Sequence, residues 1–267
     1  MPSCPVRDKP VSAISLGWGV QSWALAAMSA LGVLPKVDYA IHSDTKHERF
    51  ETYEFARKWT PWLEKRGITV ITVTSDNTFP EGKGVFIPAY TIDEKNGSQG
   101  RLLRQCTHRW KIVPIRRFLQ SVRSGAPVEL WIGYTLDEVE RAKPSEVKYI
   151  RNAFPFLNMN EDGRKDYLDK PLHRASVQKW LEKYRLGIPV KSGCVFCPFH
   201  SGSTWKEIKT SDTNDWNDAI EVDVQLRDKR PGYKTYLTKQ KRSLADAVFE
   251  NEAQNDFFDS CDGFCGL

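Results

Sequence analysis

The sequence predicts an α/β protein built on a doubly wound parallel sheet, and three observations support this. Strand-like apolar segments alternate with helix-like amphipathic segments over the first 75 residues, as expected for strands joined by crossover helices. A glycine-rich turn joins the first predicted strand to the first predicted helix. The chain has 267 residues, 40% of them hydrophobic, which suffices for one sizeable core, or a core with a small appendage.

The first 75 residues have the order β-α-β-α-β. Gly32 and Pro35 end the first helix, Pro61 predicts a kink in the second, and Gly67 ends that helix. The third strand is rich in β-branched residues, which favour extended backbone. Strands are predicted over residues 11–16, 37–42 and 68–73, and helices over residues 20–31 and 49–66.

Two polar segments interrupt the later pattern. Residues 76–100 and 143–170 show no clear period, and both are interpreted as functional loops that select the substrate. Three further elements are predicted: a helix over residues 106–122, a strand over 128–133 and a helix over 176–184. The composition shifts at Gly187. We therefore predict a flexible leader (1–10), a nucleotide-binding α/β domain (11–186) and a cysteine-rich region packed on it (187–267).

Composition restricts the setting of the protein. No stretch approaches the roughly 18 apolar residues that span a bilayer, and the first ten residues have no apolar core of a secretory signal. We expect a cytoplasmic protein with no membrane partner. The net charge of +5 suits a polyanionic partner without requiring one. The oligomeric state is open, a homodimer included.

The turn after the first strand has the chemistry of a phosphate site. Residues 15–22 spell Ser-Leu-Gly-Trp-Gly-Val-Gln-Ser. Glycines let the backbone approach a phosphate, and the first N–H groups of the following helix point at it. Ser15 and Ser22 add hydroxyl groups. By itself the segment is equally compatible with an ordinary strand-to-helix turn.

This segment resembles the PP-loop of the adenine nucleotide α-hydrolase superfamily, whose pattern is SGGxDS. Gly19 and Ser22 match the pattern, whereas Gly17, Trp18 and Gln21 replace its first Ser, first Gly and Asp. A Gln at this position is familiar in the branch that contains the PAPS reductases. The resemblance implies a Rossmann-like fold of the HUP type that binds an adenine nucleotide, ATP with Mg²⁺ in most of the superfamily.

Three more segments resemble the same branch in the same order, so the resemblance covers about residues 11–200. Residues 43–55 are similar to its "DTG…E…ETYEF" stretch, with Lys46 in place of the usual Gly. Residues 133–141 are similar to its "GIRxDExxxR" stretch, and residues 104–114 to its cysteine-bearing segment. All of them follow strands or lie in adjacent loops, so they are expected to converge on one crevice.

The resemblance implies a set of site residues. Asp44 is expected to bind ribose hydroxyls or Mg²⁺, and Lys111 and Arg141 to neutralise phosphates. Asp137, Glu138 and Arg141 are also compatible with a salt-bridged helix start. The nucleotide-binding candidates are Ser15, Gly17, Gly19, Val20, Gln21, Ser22, Asp44, Thr45 and Gly133, and the catalytic candidates are Asp44, Lys111, Asp137, Arg141 and Cys265.

The cysteines predict metal or sulfur chemistry. Cys194 and Cys197 form a CxxC that supplies two ligands, and the resemblance gives Cys106 the role of a third. Cluster-containing sulfonucleotide reductases carry a Cys-Cys pair where this chain has Gln105-Cys106. Either the three cysteines hold a [4Fe–4S] cluster with one open iron, or a tail cysteine, Cys261 or Cys265, completes it. Zinc with His200 as a ligand, and a redox dithiol, are the alternatives.

The tail adds two thiols. Cys265-Gly266-Leu267 resembles the ECGLH tail whose cysteine attacks sulfur in PAPS and APS reductases, although Phe264 replaces the Glu and the His is absent. A frayed terminus with inert thiols is the alternative, and Cys4 is assigned no role.

Three functions are compatible with this pattern. The first is ATP-dependent thiotransfer to a nucleobase or nucleic acid, such as tRNA or DNA, with sulfide or a cysteine desulfurase persulfide as the sulfur donor. The second is reduction of a sulfonucleotide, with Cys265 attacking the sulfur. The third is a non-catalytic, metal-stabilised nucleotide-binding module.

Overall fold

A computed structural model describes residues 10–75, 85–123 and 125–249. The strands are β1 (Ser12–Ser15), β2 (Tyr39–Asp44), β3 (Thr69–Thr74), β4 (Tyr90–Asp93), β5 (Gln99–Arg101), β6 (Val128–Trp131), β7 (Ile150–Phe154), β8 (Met159–Asn160), β9 (Gly163–Arg164) and β10 (Tyr233–Tyr236). The α-helices are α1 (Val20–Ala30), α2 (Phe50–Glu64), α3 (Val113–Val122), α4 (Arg174–Lys183), α5 (Gly202–Thr210) and α6 (Asp215–Leu226). A π-helical turn, Thr107–Ile112, leads into α3.

The main sheet has seven strands in the order β3-β2-β1-β6-β7-β8-β9. The first five are parallel, and β8 and β9 extend the edge as antiparallel strands. Central β1 pairs with β2 through Ala13 and Tyr39, and with β6 through Ala13 and Leu130. The chain thus leaves β1 toward one side and later returns to its other side, which is the doubly wound, Rossmann-like arrangement that the sequence predicts.

Helices cover both faces of this sheet. Ile14 and Ala40 face a cluster formed by α1, α2 and α4, whereas Ala13 and Ile41 face a cluster that contains α3. This division follows from the strand period of two, which sends successive side chains to opposite faces. Within the described ranges, no helix combines the length and the apolar character that crossing a membrane requires.

A second, smaller sheet is antiparallel and has the order β10-β4-β5. Its neighbours α5 and α6 contribute to a third apolar cluster, which also contains Val195 and Phe196 from the CxxC segment and Leu237 after β10. Strand β10, from the C-terminal part of the chain, therefore pairs with a strand that lies more than a hundred residues earlier.

The two predicted loops contain strands, so those predictions were wrong in part. Strand β4 lies within 76–100 and β5 begins there, although residues 76–84 are outside the described ranges. The segment 143–170 contains β7, the fifth parallel strand. Its apolar alternation is broken by exposed Arg151 and buried Asn152. The Asn152 side chain donates to the carbonyl of Lys143 over 3.1 Å, and its backbone N–H to Glu161 over 2.7 Å. Tertiary contacts thus satisfy these two donors of a polar residue that breaks the strand pattern.

Candidate nucleotide and sulfur site

The loops after β1, β2 and β6 lie together at the carboxyl ends of the strands of the main sheet. Because these strands are parallel neighbours, their carboxyl ends lie side by side, at the point where the chain reverses its direction of winding. The loops carry the glycine turn at 17–22, the segment 44–48 and the segment 133–141. The structure therefore brings together the three predicted groups of nucleotide-site residues.

The glycine turn is closed by its own polar groups. Ser22 Oγ accepts a hydrogen bond from the Gly17 N–H (3.2 Å) and donates to the Gly19 carbonyl (3.3 Å). Trp18 has a φ of 55° and is 1% exposed, and its ring lies 5.9 Å from that of Trp23. The first Gly of the resembling pattern thus falls on a left-handed position, which a buried Trp occupies here. The Ser22 hydroxyl, which was predicted to bind phosphate, instead makes these two hydrogen bonds within the turn.

The turn packs tightly against the loop after β6. A Cβ on Gly133 would lie 3.1 Å from the carbonyl carbon of Gln21 and 3.2 Å from the Ser22 nitrogen. The Gln21 amide donates to Thr135 Oγ1 (3.4 Å) and to Glu138. Gly133 is thus a position where only glycine allows the two backbones to approach. Of the remaining turn candidates, Ser15 ends β1, Val20 begins α1, and both are buried.

Asp137 and Arg141 make local contacts. Asp137 accepts hydrogen bonds from the Arg174 N–H at the start of α4 (2.7 Å) and from Thr135 (3.1 Å). Burial acts to raise the pKa of Asp137, but hydrogen bonds from Arg174, His173 and Thr135 outweigh it and lower that pKa. Arg141 pairs with Glu138 and lies 4.7 Å from the Tyr134 ring centroid. These contacts correspond to the salt-bridged turn considered above as the alternative.

The segment after β2 places Asp44 in a hydrogen-bonded position. Its Oδ1 accepts from the Lys46 N–H and from the Tyr53 hydroxyl, both at 2.7 Å. Burial, together with the bond to Asp44, raises the pKa of Tyr53. Lys46 has a φ of 63°, so it occupies a left-handed position where the resembling pattern has glycine, as Trp18 does.

A buried ion pair lies beside this segment. Glu48 is 3% exposed, and its Oε1 accepts from Lys111 Nζ (3.0 Å) and Thr45 Oγ1 (3.3 Å). Its Oε2 has no hydrogen-bond partner among the described residues. The sequence places Glu48 in the segment 43–55, but we did not predict it as a site residue. Its position, an acidic residue between Asp44 and the start of α2, was the signal that could have identified it.

Cys194 lies against the same group. Its Sγ is hydrogen-bonded to Thr45 Oγ1 (3.2 Å), and its backbone forms an antiparallel bridge with Glu48. Burial is the largest of the effects that raise the pKa of the Cys194 thiol, and the negative charge of Glu48 adds to it. The positive charge of Lys111 acts to lower that pKa. Cys106, which precedes the π-helical turn carrying Lys111, packs against the same apolar cluster as Cys194.

The described cysteines do not form a metal-binding group as they stand. In residues 10–75, 85–123 and 125–249, no three His, Cys, Asp or Glu side chains are grouped closely enough to hold one metal ion. The iron–sulfur centre and its zinc alternative therefore remain predictions. His200 Nε2 is hydrogen-bonded to the Cys194 carbonyl (2.8 Å), within the turn that also holds Cys197. Cys4, Cys261 and Cys265 lie outside the described residues.

The glycine turn and the cysteine segment are in direct contact. A Cβ on Gly19 would lie 2.9 Å from Ser192 Oγ, and Ser192 is buried two residues before Cys194. Trp23 Nε1 of α1 donates to the carbonyl of Leu186, over 3.1 Å. The chain from Leu186 to Cys194 thus passes over the turn, and it brings the phosphate-site candidates and the thiols to one place.

This contact predicts non-additive mutations. We expect Gly19→Ala to lower the free energy of unfolding by about 1 kcal/mol through overpacking, and Ser192→Ala to relieve part of that loss. Without the hydroxyl, the nearest Ser192 atom is Cβ, 3.8 Å away. Urea unfolding of the wild type, both single variants and the double variant measures the coupling. Additive effects would show that the turn and the cysteine segment are not in contact.

Comparison with known proteins adds one similarity. No protein-family model matches the chain, and no curated protein matches it. Solved structures do match, and one of them is the crystal structure of phosphoadenylyl-sulfate (PAPS) reductase from Candida auris in its phosphate complex. That alignment has a TM-score of 0.43 and 13% sequence identity, and covers 68% of this chain and 76% of that chain.

Proposed function

We propose that this chain is an enzyme that binds an adenine nucleotide in the crevice and carries out sulfur chemistry beside it. The observation that supports the proposal most is the contact between Gly19 and Ser192, because it joins the nucleotide-site turn to the Cys194 segment. A purely structural cysteine segment has no need to lie over a phosphate-binding turn.

The binding step uses groups of the chain itself. The backbone of the glycine turn and the positive end of the 11-residue helix α1 face a phosphate. Lys111 is a nearby cation, held by Glu48 next to Thr45. When bound, Mg²⁺ would neutralise phosphate charge, and Asp44 is the carboxylate that would hold it. The choice of an adenine nucleotide comes from the four resembling segments.

Sulfonucleotide reduction is the first candidate reaction, because it requires a single reactive thiol. The Cys265 thiolate would attack the sulfur of a phosphosulfate, forming an S–S bond and breaking the bond to the phosphate oxygen. The nucleotide leaves with that oxygen and its electron pair. A dithiol reductant such as thioredoxin then releases sulfite and is oxidised to a disulfide. Gln21 in the turn and the Cys265-Gly266-Leu267 tail favour this reaction.

ATP-dependent thiotransfer is the second candidate, and the nearby Cys106 and Cys194 favour it. The acceptor's carbonyl oxygen would attack the α-phosphate of ATP, with release of pyrophosphate. The terminal sulfur of a cysteine persulfide then displaces AMP from the carbon. A second cysteine thiol attacks the remaining S–S bond, which frees the thiolated product and leaves a protein disulfide. An external thiol reductant restores the two cysteines.

Product analysis of the full-length protein, purified without oxygen, tests the proposal. One assay supplies APS or PAPS with thioredoxin and measures sulfite. Another supplies ATP, a sulfide or persulfide source, and tRNA or DNA, and measures pyrophosphate and thiolated product. We expect one assay to be positive. ATP binding with no product in either assay would contradict the proposal and favour a non-catalytic module.

Cysteine variants distinguish the two reactions. Cys265→Ser is expected to abolish sulfite release if the tail thiol reacts, whereas Cys194→Ser is expected to abolish thiolation if the crevice thiols react. Cys4→Ser is the matched control and should leave either activity unchanged. Iron, zinc and acid-labile sulfide analysis of the same samples tests the predicted metal centre separately.

A further inference from the structure

The positive charge of this chain is concentrated in one short segment. Residues 227–242 contain seven Lys and Arg and one Asp, a net charge of +6, whereas the whole chain carries +5. The remainder of the chain is therefore close to neutral. A basic excess this local indicates a surface for a polyanion rather than a general property of the protein.

Aromatic rings are interleaved with these cations. The Arg230 guanidinium lies 4.2 Å from the centroid of the Tyr233 ring, and that of Arg227 lies 3.9 Å from the Tyr236 ring. Both tyrosines belong to β10 and are half-buried. The two rings are three residues apart on a strand and so lie on opposite faces of it, and each provides apolar area beside a positive charge.

Part of this segment forms a concave surface, which contains Arg227 and Tyr236 but neither Arg230 nor Tyr233. A cavity of about 410 Å³ has seven lining residues, of which four are basic: Arg227, Lys234, Lys241 and Arg242. Tyr236 contributes a ring and Asp246 the single carboxylate. None of the described residues that line this cavity is aliphatic, so the surface does not resemble one that inserts into lipid.

A buried carboxylate fixes the shape of this surface. Asp223 is 1% exposed, accepts hydrogen bonds from the N–H groups of Leu237 (3.2 Å) and Leu244 (3.0 Å), and pairs with Arg227. It thereby holds both ends of the loop that presents Lys241. The backbone that carries the basic side chains is therefore preorganised by buried hydrogen bonds, which reduces the entropy lost when a ligand binds.

We propose that residues 227–242 bind a single strand of nucleic acid. The Lys and Arg side chains contact phosphates, and Tyr236, the ring within the concave surface, stacks on a base, the combination by which proteins bind single strands with little sequence preference. The inference goes beyond the proposed function, since it needs neither nucleotide turnover nor sulfur chemistry. In the thiotransfer reaction the bound strand would be the acceptor. Leu237, at the start of the loop that presents Lys241, belongs to the same apolar cluster as Val195 and Phe196 of the CxxC segment.

Binding of a fluorescein-labelled oligonucleotide of about 20 nucleotides to the full-length protein tests this inference by fluorescence anisotropy. We expect the affinity to fall steeply with salt. The double variant Lys241→Asn and Arg242→Gln should weaken binding about tenfold and reduce the slope of log K against log salt by about 1.4, or roughly 0.7 for each lost phosphate contact. Asn suits position 241, where φ is 52°.

Two further variants make the test specific. Tyr236→Leu should weaken binding about tenfold with an unchanged salt slope, since stacking does not release counterions. The control is the double variant Lys58→Gln and Lys65→Gln, at two exposed positions in α2 and at its C-terminal end. It removes the same amount of charge elsewhere and should change neither the affinity nor the salt slope. Equal loss in that control would overturn the inference, as would no loss in Lys241→Asn/Arg242→Gln. Stronger binding to vesicles of anionic lipid than to the oligonucleotide, unaffected by Tyr236→Leu, would also overturn it.

Discussion

Replacing Lys111 with Met is expected to lower the free energy of unfolding by about 3 kcal/mol. Lys111 is the cation that contacts Glu48 Oε1, and the Glu48 side chain is 1% exposed. Removing one partner leaves a buried charge without compensation, which costs far more than the net contribution of the pair. Urea unfolding monitored by tryptophan fluorescence measures the change. Lys179→Met on exposed α4 surface is the control, with an expected change within about 0.5 kcal/mol.

The double variant Lys111→Met with Glu48→Gln separates stability from activity. A neutral Gln removes the buried charge, so the double variant should recover most of the lost stability. Activity should not recover, because the cation that we propose to contact the phosphates is still absent. We expect activity about a hundredfold below wild type in both variants. Full activity in the stable double variant would show that Lys111 has only a structural role.

Gly133→Ala is expected to lower the free energy of unfolding by about 2 kcal/mol and to weaken nucleotide binding about tenfold or more. The added methyl group would meet backbone atoms of Gln21 and Ser22 at 3.1 to 3.2 Å. Backbone cannot rotate away as a side-chain tip can, so the glycine turn itself must shift. Calorimetric titration with an adenine nucleotide measures the binding loss, and thermal unfolding measures the stability loss.

Gly100→Ala is the matched control. Its Cβ would lie 3.1 Å from Thr91 Oγ1 only, and a hydroxyl can change rotamer to make room. We expect little change in stability and none in nucleotide binding. Wild-type nucleotide affinity in Gly133→Ala would indicate that the nucleotide does not depend on the position of the turn.

The parallel sheet was predictable because its strands follow simple local rules. Strands β1, β2 and β3 each lie within or close to a predicted apolar segment, and the ends of α1 and α2 differ from prediction by at most two residues. Buried parallel strands are near-continuous apolar runs that helices must cover. The position of the glycine turn at a strand's carboxyl end followed from the same pattern.

The missed strands have no such local pattern. Strand β5, Gln-Gly-Arg, is fully exposed and contains no apolar residue, and β10 is recognisable only through its pairing with β4. Their extended state depends on long-range hydrogen bonds, which a local window of sequence does not contain. For the same reason, β7 was interpreted as part of a loop.

The sequence alone determined the fold class, the turn between β1 and α1, and which residue types are available for phosphate and sulfur chemistry. These depend on periodicity and composition, which are local properties of the chain. Only the tertiary structure decided that Ser192 covers Gly19, that Glu48 is buried against Lys111 and Cys194, and that Ser22 closes its own turn. The contacts of Ser192 and Glu48 join residues that are close in space but distant in sequence. The hydrogen bond of Ser22 depends on a backbone conformation that residue type does not specify.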